Sequence, residues 1–136
     1  MREIKFRGKR IDNGEWVFGS FIPDALEGSN YTSDLISWGF IRRYNRGVDK
    51  METIEVDRET VGQYTGLKDK NGTEIYEGDI VRHNEGRQST IVFEQGAFQY
   101  HRYGGLAPIR YNLKNSEQFA GEIVGNIYEN PELLEA

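Results

Sequence analysis

Gly62-Gln-Tyr-Thr-Gly-Leu-Lys-Asp-Lys-Asn-Gly-Thr-Glu-Ile-Tyr-Glu-Gly-Asp-Ile-Val81 reads as two turns separated by a short strand and followed by a longer one. Asn71-Gly72 can take the positive φ of a tight hairpin turn, because glycine has no Cβ to clash. Gly78-Asp79 turns the chain again before Ile80-Val81 opens a new strand. Lys68, Asp69 and Lys70 are charged and are expected to hold the first turn in water. Such a motif organises a fold and supplies no chemistry.

The rest of the composition agrees with a strand-rich chain. Ile and Val total 19, against 7 Leu and 5 Ala. β-Branched side chains lose rotamer freedom in helices and pack well on pleated surfaces. Sixteen glycines suit many tight turns. The expected class is mainly β, in 136 residues that suit one domain or two small lobes.

Outward from the central stretch, Glu3–Arg7 alternates polar and apolar residues and returns through Asp12-Asn13-Gly14 into Glu15–Ile22. This is an N-terminal hairpin, closed by Pro23. Residues 24–34 read as a loop. Leu35–Tyr44 fits helix and strand spacing, and its Gly39 and aromatics favour a strand paired through Asn45-Arg46-Gly47 with Glu52–Val56. Asp57–Thr60 reads as a turn into the central stretch. Asp79–His83 is a strand, and Thr90–Glu94 pairs with Ala97–Tyr103 across Gln95-Gly96. Gly104-Gly105 breaks the run, Ile109–Leu113 is a short strand, and Gly121–Tyr128 is a clearer one. Asn130-Pro131-Glu132 has the order of an N-cap, a first-turn proline and an acid, with room for one helical turn.

Charge and motifs exclude several functions. A net charge of −5 disfavours a protein whose main partner is the nucleic-acid backbone, which demands a basic face. A local exception is the N-terminal strand, where Arg2, Lys5, Arg7, Lys9 and Arg10 face only Glu3. With no cysteine there is no disulfide framework, cysteine zinc site or thiol chemistry. No apolar run has the length of a signal peptide or membrane helix, so a soluble intracellular protein is expected. Asp69-Lys-Asn71-Gly72 fails as a calcium loop, since one alignment places Leu67 at the first and Gly78 at the last ligand position and the other places Ile80 at the last, where carboxylates are needed. His83 and His101 would form a catalytic or metal pair only on neighbouring strands, and no carboxylate motif accompanies them. No catalytic, cofactor-binding or metal-binding residue is assigned.

Tyr100, Arg102, Tyr103, Arg110 and Tyr111 interleave aromatics with arginine and form the candidate binding surface. On strands, that pattern stacks bases or anchors a protein, although aromatics filling a core with arginine at its edge give it equally. Trp16 is expected in the core of its hairpin.

Three segments resemble the YopX-like phage and prophage proteins. They are Arg2–Arg10 with Asp12–Val17, then Thr60–Gly72 with Glu77–Val81, and finally Gly125–Leu134. The resemblance runs in order along nearly the whole chain and is least in residues 24–50 and 83–119. It implies a mainly β fold with an SH3-like, partly open barrel in the C-terminal half (residues 62–136). An N-terminal β-hairpin region (residues 1–61) would pack on it. It also implies a phage or prophage origin and therefore the cytoplasm of a bacterial host, and it brings no activity and no catalytic residues. The expected function is a non-enzymatic module binding an unidentified host or phage protein, with no cofactor and no membrane. The alternative is a nucleic-acid-associated accessory protein using the basic N-terminal strand or the arginine–tyrosine face. A small hydrolase built on His83 and His101 is the remaining reading.

Overall fold

A computed structural model of the chain describes residues 4–23, 38–84, 86–102, 105–108, 111–112, 115–119 and 121–134. The expected loop at 24–34 lies outside them. The described chain is almost entirely β, as its residue usage indicates. It divides into two compact units, Ile4–Gln63 and Tyr64–Ala136.

In the first unit, β1 (Phe6–Arg10) and β2 (Trp16–Pro23) form the expected antiparallel hairpin. β3 (Trp38–Asn45) pairs with β2 and with β4 (Lys50–Lys68), resolving the helix–strand ambiguity in favour of the strand. β4 also pairs with β1, so the four strands make a barrel-like partial ring. Its inner face buries Val17, Ile41 and Val56, with Phe6, Phe21, Ile54 and Val61 packed around them. The strand period of two puts Trp16 and Phe18 on the face opposite Val17.

Asp57–Thr60 is not a turn between strands, because β4 runs through it. Lys9 pairs with Asp57 and Arg7 with Gly62, so one intervening residue of β1 faces four of β4. The excess is taken up as an irregularity held by Thr60, whose Oγ1 accepts from Lys9 N at 2.9 Å and donates to Asp57 O at 2.6 Å. Polar residues that look like a turn can equally satisfy the stranded backbone of a bulge.

The second unit begins at the end of β4 and continues through β5 (Glu74–Tyr76), β6 (Asp79–Arg82), β7 (Gln88–Glu94) and β8 (Ala97–Arg102). After these come β9 (Gly105–Pro108), β10 (Tyr111–Asn112), β11 (Asn115–Phe119) and β12 (Glu122–Asn126). Five of them form an antiparallel sheet in the order β12-β6-β7-β8-β9. β5 pairs with β4, and β11 meets the end of β4 in parallel and β10 in antiparallel fashion. The core holds Leu67, Ile75, Val81, Ile91, Tyr100 and Phe119, with Ile123 against it. Gly105 starts a strand that the sequence reading treats as a break. The final turn is the 3-10 helix Pro131–Leu134, but Asn130 does not cap it with its side chain. Asn130 Oδ1 instead accepts from Asn126 N at 3.2 Å, reaching back to β12.

The central stretch has the expected plan of strand, turn, short strand, turn and strand. Gly72 sits at φ +84° with open space around it, so its left-handed backbone alone calls for glycine there. Asp69 differs from expectation, being 1% exposed. Its Oδ1 accepts from Asn71 N and Thr73 N, both at 2.9 Å, and its Oδ2 accepts from Ile123 N at 3.0 Å. A carboxylate can leave water when backbone N–H groups replace its hydration. Asp79 repeats the device, accepting from Tyr76 N at 2.7 Å while 2% exposed.

Asp69→Asn is therefore expected to destabilise the protein by about 2–4 kcal/mol, since hydrogen bonds to a charged group contribute about 1.5–3 kcal/mol each and an amide would point NH2 at an N–H donor. Urea denaturation measures this, and a midpoint equal to wild type would remove Asp69 from its structural role.

Candidate functional site

Tyr100 is not on a binding surface: it is 3% exposed and lies in the core of the second unit. Its ring packs at 5.6 Å from Phe119 and at 4.7 Å, edge-on, from His83. The side of β8 that carries Tyr100 faces Ile91, its partner on β7, in the same core. Arg102 and Tyr111 are described as backbone on β8 and β10, whereas Tyr103 and Arg110 lie outside the described residues.

The histidines occupy opposite faces. His83 follows β6, packs on the inward ring of Tyr100, and its Nε2 lies 2.9 Å from Ser89 Oγ. His101 follows Tyr100 directly on β8, so it points the other way, and it is exposed. With β7 between β6 and β8, the strands are not the neighbours a shared metal or acid–base pair would need. Ser89 is 1% exposed and gives a substrate no approach.

The basic N-terminal strand is also engaged within its own unit. Arg7 is buried, with its guanidinium carbon 4.5 Å from the Trp16 ring centroid, and Lys9 Nζ lies 5.5 Å from the same ring. Trp16 is thus a half-buried platform for two cations rather than a core residue. Arg10 forms a two-pronged pair with Asp12, Nε to Oδ1 at 2.9 Å and Nη2 to Oδ2 at 2.8 Å. That bond, before the nearby charge, holds the Asp12 carboxyl below its usual range.

What the sequence reading missed is the far end of the β3–β4 hairpin. β2 accompanies β3 only as far as Arg42, and β1 pairs with β4 only from Val56 onward. Among the described residues, Arg43–Asn45 and Lys50–Glu52 therefore pair only with each other, as a two-stranded ribbon. One face is clamped by Glu52, which accepts from Asn45 Nδ2 at 2.8 Å and from Arg43 Nε at 3.2 Å. The other carries Tyr44 directly opposite Met51, with Val48 in the turn. These three are 51%, 50% and 56% exposed. The available signal was the Asn45-Arg46-Gly47 turn with apolar residues at matching offsets on either side.

The fold and this surface define an all-β protein with an exposed apolar ribbon and no assembled catalytic group among the described residues. A model of one family, described as YopX protein, matches residues 5–135, and the chain belongs to that family. Among solved structures, protein EF1440 from Enterococcus faecalis is similar, with a TM-score of 0.55 and 25% identity over 99% of this chain and 100% of that one. No curated protein sequence matches the chain.

Two outcomes follow from the side-chain geometry. His83→Ala should cost about 1–3 kcal/mol, because it removes aromatic edge contacts and leaves buried Ser89 without its partner. His101→Ala should stay within about 0.5 kcal/mol, as exposed substitutions usually do. Equal thermal shifts for the two variants would refute the assignment of His83 to the packed face.

The second outcome concerns pH. Hydrogen bonds from Asn45 and then Arg43 hold the Glu52 carboxyl below its usual range. A depressed carboxyl contributes stability that is complete above the ordinary glutamate pKa and lost as pH falls through the lowered value. The ribbon should accordingly keep its pairing at neutral and mildly acidic pH and loosen only in stronger acid. Amide exchange at Asn45 and Glu52 across an acid titration checks this, with loosening already near neutrality as the contrary result.

Proposed function

We propose that the chain is a non-enzymatic phage or prophage protein that acts by docking on a protein partner in the cytoplasm of a bacterial host. The observation that carries this reading is the exposure of Tyr44, Val48 and Met51 together on one ribbon. Half-exposed aromatic, branched and thioether side chains gathered at one place mark interaction surfaces, whereas scattered ones do not. Asp69 and Asp79 accept backbone N–H groups, and the histidines face apart.

Membership of the YopX family supports the phage or prophage origin that the sequence resemblance implies. No helix among the described residues is long and apolar enough to cross a membrane. The second unit supports an SH3-like reading through its order β12-β6-β7-β8. There the end of β4 reaches the final strand region, Lys70 N donating to Gly121 O at 2.9 Å.

Protein docking rather than nucleic-acid docking is the preferred reading because Arg7 and Lys9 lie against Trp16 and Arg10 pairs with Asp12. Fluorescence anisotropy with duplex and single-stranded oligonucleotides over a salt series is the test. Each neutralised phosphate contributes a slope of about −0.9 to log K against log salt, so two or three cations give a slope of magnitude about 3 at most and micromolar or weaker binding. Nanomolar binding with a much steeper slope at physiological salt would replace this function with the nucleic-acid one.

A further inference from the structure

The ribbon differs from the rest of the chain in charge. Between Arg42 and Glu52 it carries Arg42, Arg43, Arg46 and Lys50 against Asp49 and Glu52, a net positive segment in a chain of net charge −5. Arg43 is spent on Glu52. Arg42, Arg46 and Lys50 are exposed, and among the described residues their side chains make no ion pair. Elsewhere Arg10 pairs with Asp12 and Arg82 lies 3.6 Å from Glu122.

The apolar and basic features share one surface. Arg42 and Tyr44 alternate onto the same face of β3, opposite Thr53 and Met51 of β4. Arg46 and Val48 are at the turn, Lys50 lies opposite Asn45 on the clamped face, and the exposed acids close by are Asp49 and Glu55. An apolar centre ringed by unmatched cations has the anatomy of a protein-binding patch, in which aromatics, Met and Arg are enriched. The charge selects the partner, because opposite potentials steer association and like charges reject the wrong one.

We propose that this ribbon docks an acidic protein segment that carries large apolar anchor side chains. Phosphates could satisfy the cations but would leave Tyr44, Val48 and Met51 without apolar counterparts. A neutral apolar segment would leave Arg42 and Arg46 unmatched. The inference rests on the protein-docking reading above and specifies its site and the chemistry of its partner.

Panning a random-peptide phage library on the immobilised full chain tests it. Enriched peptides, synthesised with a fluorophore, are titrated against wild type, Tyr44→Ser/Met51→Ser and Arg46→Glu. All the substituted side chains are exposed, and the amide spectrum of each variant checks the fold. Enriched peptides should be rich in Asp and Glu around one or two aromatic or aliphatic residues. Their affinity should fall at least tenfold in both variants and weaken as salt rises. On binding they should shift the amides of residues 42–52. Acidic peptides that instead shift the region of Phe93 and Phe98 would overturn the ribbon as the site while leaving protein docking standing. Basic or neutral peptides bound at the ribbon would overturn the partner's chemistry. No enrichment, or displacement of every peptide by duplex DNA, would overturn both this inference and the protein-docking reading.

Discussion

Three backbone N–H groups converge on the carboxylate of Asp69, and the second unit depends on that convergence. Two come from its own turn and one from Ile123, 54 residues further along the chain. The first two set the turn locally, as an aspartate commonly does for the backbone that follows it. The third is non-local, and beside it Lys70 N donates to Gly121 O. The same side chain therefore determines how β4 turns into β5 and where β12 begins. Neither task leaves room for a ligand at Asp69, since both oxygens are already accepting.

In the first unit the constraint is alternation rather than a buried charge. Val17, Ile41 and Val56 fill the inner face, so their chain neighbours are forced outward. Trp16 goes outward with Arg7 and Lys9 beside it, giving the ring an amphipathic cover in place of a bare indole. Gly8 is where β1 crosses the core most closely, for a Cβ there would lie 3.1 Å from Val56. The ribbon is the part of this unit where alternation continues without a second layer. Its outward residues have water where the ring has partners, and an isolated two-stranded hairpin is only marginally stable. The Glu52 clamp supplies order on one face, which frees the other to be apolar and exposed.

Local chemistry made the hairpins legible. The glycines of the Asn13-Gly14, Asn71-Gly72 and Gln95-Gly96 turns have positive φ, and the strands flanking them alternate as read. What was not legible depends on partners distant in sequence. Asp69 looks solvated between two lysines because the donor that completes its burial is Ile123. Thr60 looks like a turn residue because its hydrogen-bond partner is Lys9 on another strand. Tyr100 stands among arginines and other tyrosines in sequence, but no local sign shows that its side of β8 is inward. That sign comes from Leu67, Ile75 and Phe119, which pack with Tyr100. The same holds for Trp16, whose size implies burial and whose parity relative to Val17 places it outside.

The candidate surface follows from this division between what the chain can satisfy internally and what it cannot. In the ring Arg7 lies against an aromatic face and Arg10 meets a carboxylate, and in the sheet Arg82 lies near one. On the ribbon the two faces compete for few carboxylates. Glu52 serves Arg43 and Asn45 on the clamped face, and this leaves Arg42 and Arg46 exposed without a carboxylate partner among the described residues. Net negative charge repels acidic partners at long range, so the positive ribbon is where such a partner meets the least resistance. Screening at physiological ionic strength confines both fields to roughly 8 Å. Within that distance the local sign of the ribbon outweighs the distant sign of the chain. Recognition of the proposed acidic partner would then rest on the few residues at the tip of one hairpin.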